Sequence, residues 1–329
     1  MTDKKREPER YPGRKNYPTD EVAPEDFLSN EEVQEMLESK EKLKQEDVKK
    51  LLNCVHCNEC GTSEERIQLN AKFIQDGNEI EGLSTMLENF KTYKTPYETD
   101  KMRSSKELRE QVPRSSDTLY FMGCLSTIRI PKFTNNSLKF LLKHGVDFTI
   151  LEKEVCCGYP ILVSGYTEEF NELRDLNVKI FKDGNFKEII CLCPACYYVF
   201  KEHYPDMGIK FSYISDHLKP TDEKKNGSVS VQHLCQLMNR GRPEVSKRVN
   251  EILETSGYKV EDVPHWCCGG GLGYMHRTDV IDKIAEIRLK DFKGDYYTTY
   301  CPSCYWILKI FGQKLKISPK LRDVFALLL

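Results

Sequence analysis

The pattern of apolar and polar positions divides this chain into three stretches. Residues 1–28 are charged, carry Pro8, Pro12, Pro18 and Pro24, and offer few apolar anchors, so a disordered tail is expected there. From Ser29 the pattern turns helical. Ser29 and Glu32 have capping-box spacing, and Val33, Met36, Leu37, Leu43, Val48, Leu51 and Leu52 form a helical stripe in two segments. Residues 61–112 are rich in Lys and Glu and read as helices and loops, which makes 29–112 a small, mostly helical module. Beyond it, short apolar runs alternate with helical periods. Strands are predicted over 118–122, 146–151, 188–192 and 209–214, with helices over 133–144, 170–182 and 197–204 between them. After the polar, turn-rich stretch 219–227 the order repeats, with strands over 228–232, 258–263 and 296–300 and helices over 244–256 and 279–292. This alternation predicts an α/β fold of two lobes, 113–225 and 226–329, related by a pseudo-two-fold and built on mainly parallel sheets.

The cysteines carry the same duplication. Ten of the fourteen spell one pattern twice: Cys124, Cys156-Cys157, Cys193 and Cys196, then Cys235, Cys267-Cys268, Cys301 and Cys304. The single cysteine and the adjacent pair are 32 positions apart in both copies, and both pairs run into glycine. Both closing units read Cys-Pro-x-Cys-Tyr. An internal repeat that keeps a soft-ligand set in each half points to metal.

Bulk composition narrows the classes. Lys and Arg number 49 against 51 Asp and Glu, for a net charge of −2, so neither nucleic acid nor an anionic membrane surface is expected as a partner. No apolar run approaches the roughly 20 residues of a membrane span. The first twenty residues have no apolar core and do not read as a secretory signal, so a cytoplasmic location is expected. In that reducing setting clustered cysteines bind metal or do chemistry more often than they form disulfides.

In each copy the three cysteine groups follow three different predicted strands, the sheet edge where ligands collect in parallel α/β folds. Helices are expected to open at Pro194 and Pro302, directing free N–H groups toward an anionic cluster. Five thiolates thus converge in each lobe, and the two groups are expected to face each other across a cleft. Five exceed the four that structural zinc or a cubane iron–sulfur cluster takes. Zinc on the pair plus the CxxC unit would leave one cysteine per copy without a role, so iron–sulfur is the favoured reading.

This arrangement, with Leu119-Tyr-Phe-Met-Gly-Cys124 and Cys268-Gly-Gly-Gly271 around it, strongly resembles the cysteine-rich CCG domain. That domain occurs in pairs in the catalytic B and D subunits of heterodisulfide reductase and in iron–sulfur subunits of glycolate, lactate and glycerol-3-phosphate dehydrogenases. The resemblance covers about residues 118–329. It implies two noncubane 4Fe-4S clusters, one held by Cys124, Cys156, Cys157, Cys193 and Cys196 and one by Cys235, Cys267, Cys268, Cys301 and Cys304. It also implies homolytic cleavage of one disulfide, of the coenzyme M–coenzyme B type, between the two clusters. The family often carries His-x-Pro-Cys-His at the position where this chain reads Gln232-His233-Leu234-Cys235-Gln236. His233 is therefore the candidate proton donor, at a shifted position.

Four cysteines remain. Cys54, Cys57 and Cys60 begin a ferredoxin-like motif, but Glu64 stands where its fourth cysteine belongs and Glu65 where its proline belongs. Three readings stay open: an additional 4Fe-4S cubane with an outside fourth ligand, a remnant without metal, and zinc completed by His56 or another group. His56 otherwise reads as a solvent-exposed side chain. Cys191, two residues before Cys193, reads as a buried small hydrophobe or an extra cluster neighbour. The glycines at 269–271 and Gly273 read as room for backbone N–H groups to approach sulfur, since no Lys-Ser/Thr follows to make a phosphate loop. Tyr197, Tyr198, Tyr305 and Trp306 are candidates for shielding the clusters from water. His276 and Arg277 are weak candidates for an anionic substrate tail.

The expected function is an oxidoreductase subunit that reduces a small-molecule disulfide. The chain has no nucleotide-binding fingerprint, so electrons are expected from a flavoprotein or a ferredoxin-type iron–sulfur subunit. The alternative is a non-catalytic electron-transfer subunit of a flavin-dependent 2-hydroxy acid or glycerol-3-phosphate dehydrogenase complex. Retention of both complete five-cysteine sets favours the first.

Overall fold

The computed structural model describes residues 27–80, 82–271, 278–314, 316 and 320–329. Within the N-terminal part lie α1 (Asn30–Glu38), α2 (Gln45–Leu52), α3 (Ser63–Gln75), α4 (Ser84–Tyr93) and α5 (Lys106–Glu110). The expected capping box opens α1: Ser29 Oγ accepts from the Glu32 N–H and the Glu32 carboxylate accepts from the Ser29 N–H. Val33, Leu51 and Leu52 are buried as the helical stripe requires, while Leu43 is buried from the connection between α1 and α2. The Val48 side chain and residues 1–26 of the expected tail lie outside the described residues.

The first α/β lobe runs β1 (Thr118–Phe121), α6 (Cys124–Ile128), α7 (Pro131–Lys143), α8 (Tyr159–Val163), α9 (Thr167–Asp183), β2 (Glu188–Cys191), α10 (Pro194–Glu202) and β3 (Lys210–Tyr213). The second runs β4 (Ser228–Gln232), α11 (Cys235–Met238), α12 (Glu244–Thr255), β5 (Lys259–Glu261), α13 (Thr278–Asp291), β6 (Tyr296–Thr299), α14 (Pro302–Lys314), β7 (Leu321–Asp323) and α15 (Val324–Leu328). Every strand pair is parallel. The sheets are ordered β1-β2-β3 and β5-β4-β6-β7. A single parallel bridge, Leu119 to Thr149, adds the 146–151 segment to the outer edge of β1. With that bridge included, the strand order is second–first–third–fourth in both lobes, so the duplication in the sequence is also a duplication of topology.

The 146–151 strand is thus reduced to one residue. Thr149 exchanges backbone hydrogen bonds with Thr118 and Tyr120 at 2.8 Å. Around it the side chains reach sideways instead: Thr149 Oγ1 donates to the Pro113 carbonyl at 2.8 Å, and Asp147 accepts from Ser116. Central strands are buried on both faces, as parallel sheets covered by helices require. Leu119, Tyr120 and Phe121 of β1 and Ile189, Ile190 and Cys191 of β2 have no exposed surface. Cys191 sits in that core, opposite Phe121 and Tyr213 in register, where it serves as a small apolar filler.

The lobes pack on each other directly. Tyr213 donates its hydroxyl to the Tyr300 carbonyl, Asn136 on α7 binds the Asp323 carboxylate, and Phe133 meets Tyr305 and Phe325 edge to ring. The N-terminal helices close over the first lobe. Asn70 of α3 donates to the Val163 carbonyl at 2.7 Å, and the Asn70–Ala71 backbone lies directly against Gly165.

Candidate metal centre

All ten repeated cysteines line one cavity of about 500 Å³ between the lobes. The local backbone explains how each arrives. Gly123, at φ +82°, turns the chain off the end of β1 so that Cys124 opens α6. A side chain there would start 3.4 Å from Cys196 Sγ. Cys193 caps α10 with Pro194 as its first residue, and Cys301 precedes α14, which opens at Pro302. Cys235 opens α11 directly after β4. Short helices therefore begin at the cysteines in both lobes and turn N–H groups toward sulfur. The Gly269 N–H points to Cys267 Sγ and the Cys304 N–H to Cys301 Sγ, both at 3.4 Å.

Thiol pairing is the same in the two lobes. The single cysteine meets the first of the adjacent pair, Cys124 with Cys156 at 3.6 Å and Cys235 with Cys267 at 4.0 Å. The second of the pair meets the last cysteine of the CxxC unit, Cys157 with Cys196 and Cys268 with Cys304. Neighbouring thiols act oppositely on the partners. Hydrogen bonds from Cys156 and Cys196 pull the Cys157 thiol down to about 6 against the effect of burial. Cys157 and Cys193, with burial, push Cys196 up, as thiol contacts and burial together do for Cys124, Cys235 and Cys304. Five crowded thiols, four of them buried in each set, cannot all ionise beside one another. A cationic core bound to the sulfurs removes that repulsion, so the donor set fits a soft, multiply charged metal centre.

Supporting residues differ between lobes, and two were not anticipated from sequence. Glu154 is buried just before Cys156, and its carboxylate accepts the Met122 and Gly123 N–H groups, each at 2.7 Å. It ties the turn of the first cysteine pair to the turn before Cys124. Burial outweighs those two bonds and raises its carboxyl to about 7. In the second lobe Gln232 and the wholly buried Arg288 do the corresponding work. Gln232 donates to the Trp266 carbonyl at 2.8 Å, and Arg288 donates to Gln232 and, at 2.6 Å, to the Pro264 carbonyl. An acid two residues before a Cys-Cys pair was the available signal for Glu154. Arg288 had none, since it lies twenty residues beyond Cys268 on another element.

The cavity wall is largely apolar, with Pro96, Val163, Trp306 and Ile307 among its members. Among the described lining residues Arg129 carries the formal charge, its guanidinium 4.7 Å above the Tyr97 ring. Trp306 faces the cavity as the shielding role requires, whereas Tyr198 turns its hydroxyl to Glu64 and His203. Gly270 lets the backbone approach Cys268 Sγ, where a side chain would start 3.3 Å away.

Two histidines are placed differently from expectation. His233 is not among the cavity-lining side chains. Its Nδ1 pairs with the Tyr300 hydroxyl at 3.1 Å, and burial together with Arg288 lowers it to about 3. His56 is 1% exposed rather than solvated, because the loop that carries it is clamped between α3 and the second lobe. Burial, then Arg66 and Arg240, lower it to about 4. His276 and Arg277 lie outside the described residues.

The loop with Cys54, Cys57 and Cys60 rests on the second lobe. Its Cys57 thiol faces Cys267, Cys60 is exposed, and the His56 N–H points to Cys54 Sγ at 3.3 Å. Glu64, at the position reserved for a fourth ferredoxin cysteine, is otherwise engaged. It accepts from Tyr198 and from Arg240 at 3.1 Å, and His203 lies 3.4 Å away. Burial pushes its carboxyl up, but His203, Tyr198 and Arg240 outweigh that and hold it at about 2.

Comparison with known proteins agrees with this geometry. The cysteine-rich CCG domain matches twice, over residues 118–201 and 229–309. The chain is 26% identical over 270 residues to an uncharacterised iron–sulfur protein of Methanocaldococcus jannaschii, covering 77% of this chain and 55% of that one. It is 25% identical over 266 residues to the D subunit of the dihydromethanophenazine:CoB–CoM heterodisulfide reductase of Methanosarcina mazei, covering 71% and 64%. It is 22% identical over 226 residues to the C subunit of the anaerobic glycerol-3-phosphate dehydrogenase of Escherichia coli, covering 61% and 57%. The chain spans about half the length of the curated relatives it matches. Among the described residues no helix is long and apolar enough to cross a membrane. With two matched copies of the domain that together span half its length, the chain belongs to the CCG cysteine-rich domain family.

Proposed function

We propose that this chain is the disulfide-reducing subunit of an iron–sulfur oxidoreductase, with two noncubane 4Fe-4S clusters on its ten repeated cysteines. The observation that carries this reading is that both five-thiol sets open into one cavity rather than two. Clusters held by Cys124, Cys156, Cys157, Cys193 and Cys196 and by Cys235, Cys267, Cys268, Cys301 and Cys304 would supply one electron to each sulfur of a single disulfide. The protein's part is to hold the two sets on opposite walls and to keep water out with apolar side chains. Arg129 is placed to receive an anionic group of the substrate. A disulfide such as the CoB–CoM heterodisulfide named for the Methanosarcina relative has the right chemistry. Electrons come from a flavoprotein or ferredoxin-type partner.

Of the three open readings of Cys54, Cys57 and Cys60, the cubane finds little support in the loop's surroundings. Glu64 is taken by three other side chains, and two guanidinium groups near the His56 ring, those of Arg66 and Arg240, oppose a cation there. Similarity to the E. coli glycerol-3-phosphate dehydrogenase protein supports a second reading, a relay subunit of a flavin-dependent dehydrogenase. Metal analysis of the anaerobically purified chain tests the common ground of both: about eight irons on the ten cysteines are expected. Stoichiometric zinc without iron contradicts both. Oxidation of the dithionite-reduced protein by a disulfide, followed optically, separates them, because a pure relay subunit leaves the disulfide intact.

A further inference from the structure

The two five-cysteine sets are alike in sequence and in thiol pairing, yet their surroundings are not. Beside the first set, the 94–97 turn supplies Tyr97, next to Cys124 and Cys156, and the Lys94 carbonyl, which accepts the Cys156 N–H at 3.0 Å. Neither residue adds a thiol to the set. Beside the second set lies a thiol, Cys57, facing Cys267.

That contact is built in from both sides. On α11, which opens at Cys235, Gln236 donates to the His56 carbonyl at 2.7 Å and Asn239 to the Cys57 carbonyl at 2.9 Å. Asn58 returns a bond to the Asn239 carbonyl at 3.0 Å. On the turn that follows Cys267 and Cys268, Gly271 lies so close to Val55 that a side chain would start 2.5 Å from its Cα. Gln236 stands where the family pattern has a second histidine, so the departure from that pattern fastens the loop. The same loop leaves Cys60 exposed on the outside of the molecule.

We infer that Cys57 belongs to the second metal centre as a sixth thiol beside Cys267, so that the two centres are unequal and electrons arriving at the Cys54–Cys60 loop pass to the second one. The inference rests on the ten-cysteine reading of the cavity. Per disulfide, the reduced flavoprotein or ferredoxin-type partner gives up two electrons, one at a time, through this contact. The disulfide takes up those two electrons and two protons and leaves as two thiols.

The test uses the full chain, purified without oxygen, in two backgrounds: Cys157→Ser, which keeps the second centre, and Cys268→Ser, which keeps the first. Cys57→Ser and Cys60→Ser are added to each, and iron content and an EPR-monitored redox titration are read. Cys57→Ser is expected to shift the g-values and raise the midpoint potential of the second centre alone, since it removes a negative ligand, with iron unchanged. Cys60→Ser is expected to do neither. An equal shift in the first-centre background, no shift in the second, or loss of about four irons with either variant overturns the inference; the last marks a separate cluster on the loop. If the parent chain takes up no iron, the ten-cysteine reading fails instead. The contact itself is then read in the metal-free chain by mild oxidation with copper phenanthroline and peptide mass mapping. A Cys57–Cys267 disulfide is expected, and pairing of Cys57 with Cys54 or Cys60 contradicts the contact.

Discussion

Glu154 shows how a single side chain carries the first site. It holds two backbone N–H groups at the turn before Cys124. Glu154→Ala leaves both unsatisfied in a buried place, at a cost of about 2–4 kcal/mol. Urea denaturation should show that loss, and iron analysis should show the first site emptied while the second stays filled. The pH dependence has a definite sign. The folded carboxyl titrates at about 7 and an ordinary glutamate at 4.5, so the fold favours the protonated form. That contribution is full below 4.5 and is lost as pH rises through 7, and Glu154→Gln should flatten the decline. At this scale the ten cysteines were legible because a duplicated spacing needs no structure to be seen. Glu154, Arg129 and the Cys57–Cys267 contact were not, because each depends on segments brought together from distant parts of the chain. His56 was misjudged for the same reason: its place between two cysteines suggested solvent, and a tertiary clamp buries it.

Among the elements, the long helices and central strands were readable from their periods, and the edges were not. The 146–151 run has the composition of a strand, but its pairing stops at Thr149 because neighbouring side chains bond to residues 113–116. β7 spans three residues and α6 and α11 only five and four, too short for any period to show. These short helices nevertheless matter most, since they start at the cysteines. The seam between α3 and the first lobe offers a test of element packing. Gly165 has φ +84°, and a side chain there would start 2.3 Å from the Asn70 backbone. Gly165→Ala should therefore cost about 2–4 kcal/mol through strain and overpacking. Limited proteolysis should show residues 63–75 released before either lobe is cut. Simultaneous loss of all three parts would mean that the helical module and the lobes form one cooperative unit.

For the whole molecule, the duplicated topology places two equivalent sheet edges against each other, and the thiols of both edges share one space. That arrangement suits a substrate whose reacting bond breaks into two like halves. In the proposed disulfide reduction each sulfur would need a metal partner of its own, or a free thiyl radical would be left behind. The two-lobed α/β plan was legible from the repeat, whereas the way the N-terminal loop favours the second lobe required the packed structure. The measurement that tests the paired account most directly is disulfide reduction by Cys157→Ser and by Cys268→Ser, assayed separately and anaerobically with an artificial reductant. Each variant is expected to lose one cluster and to lose activity altogether. If either loses its cluster yet keeps half or more of the parent rate, the lobes work independently and the account is contradicted.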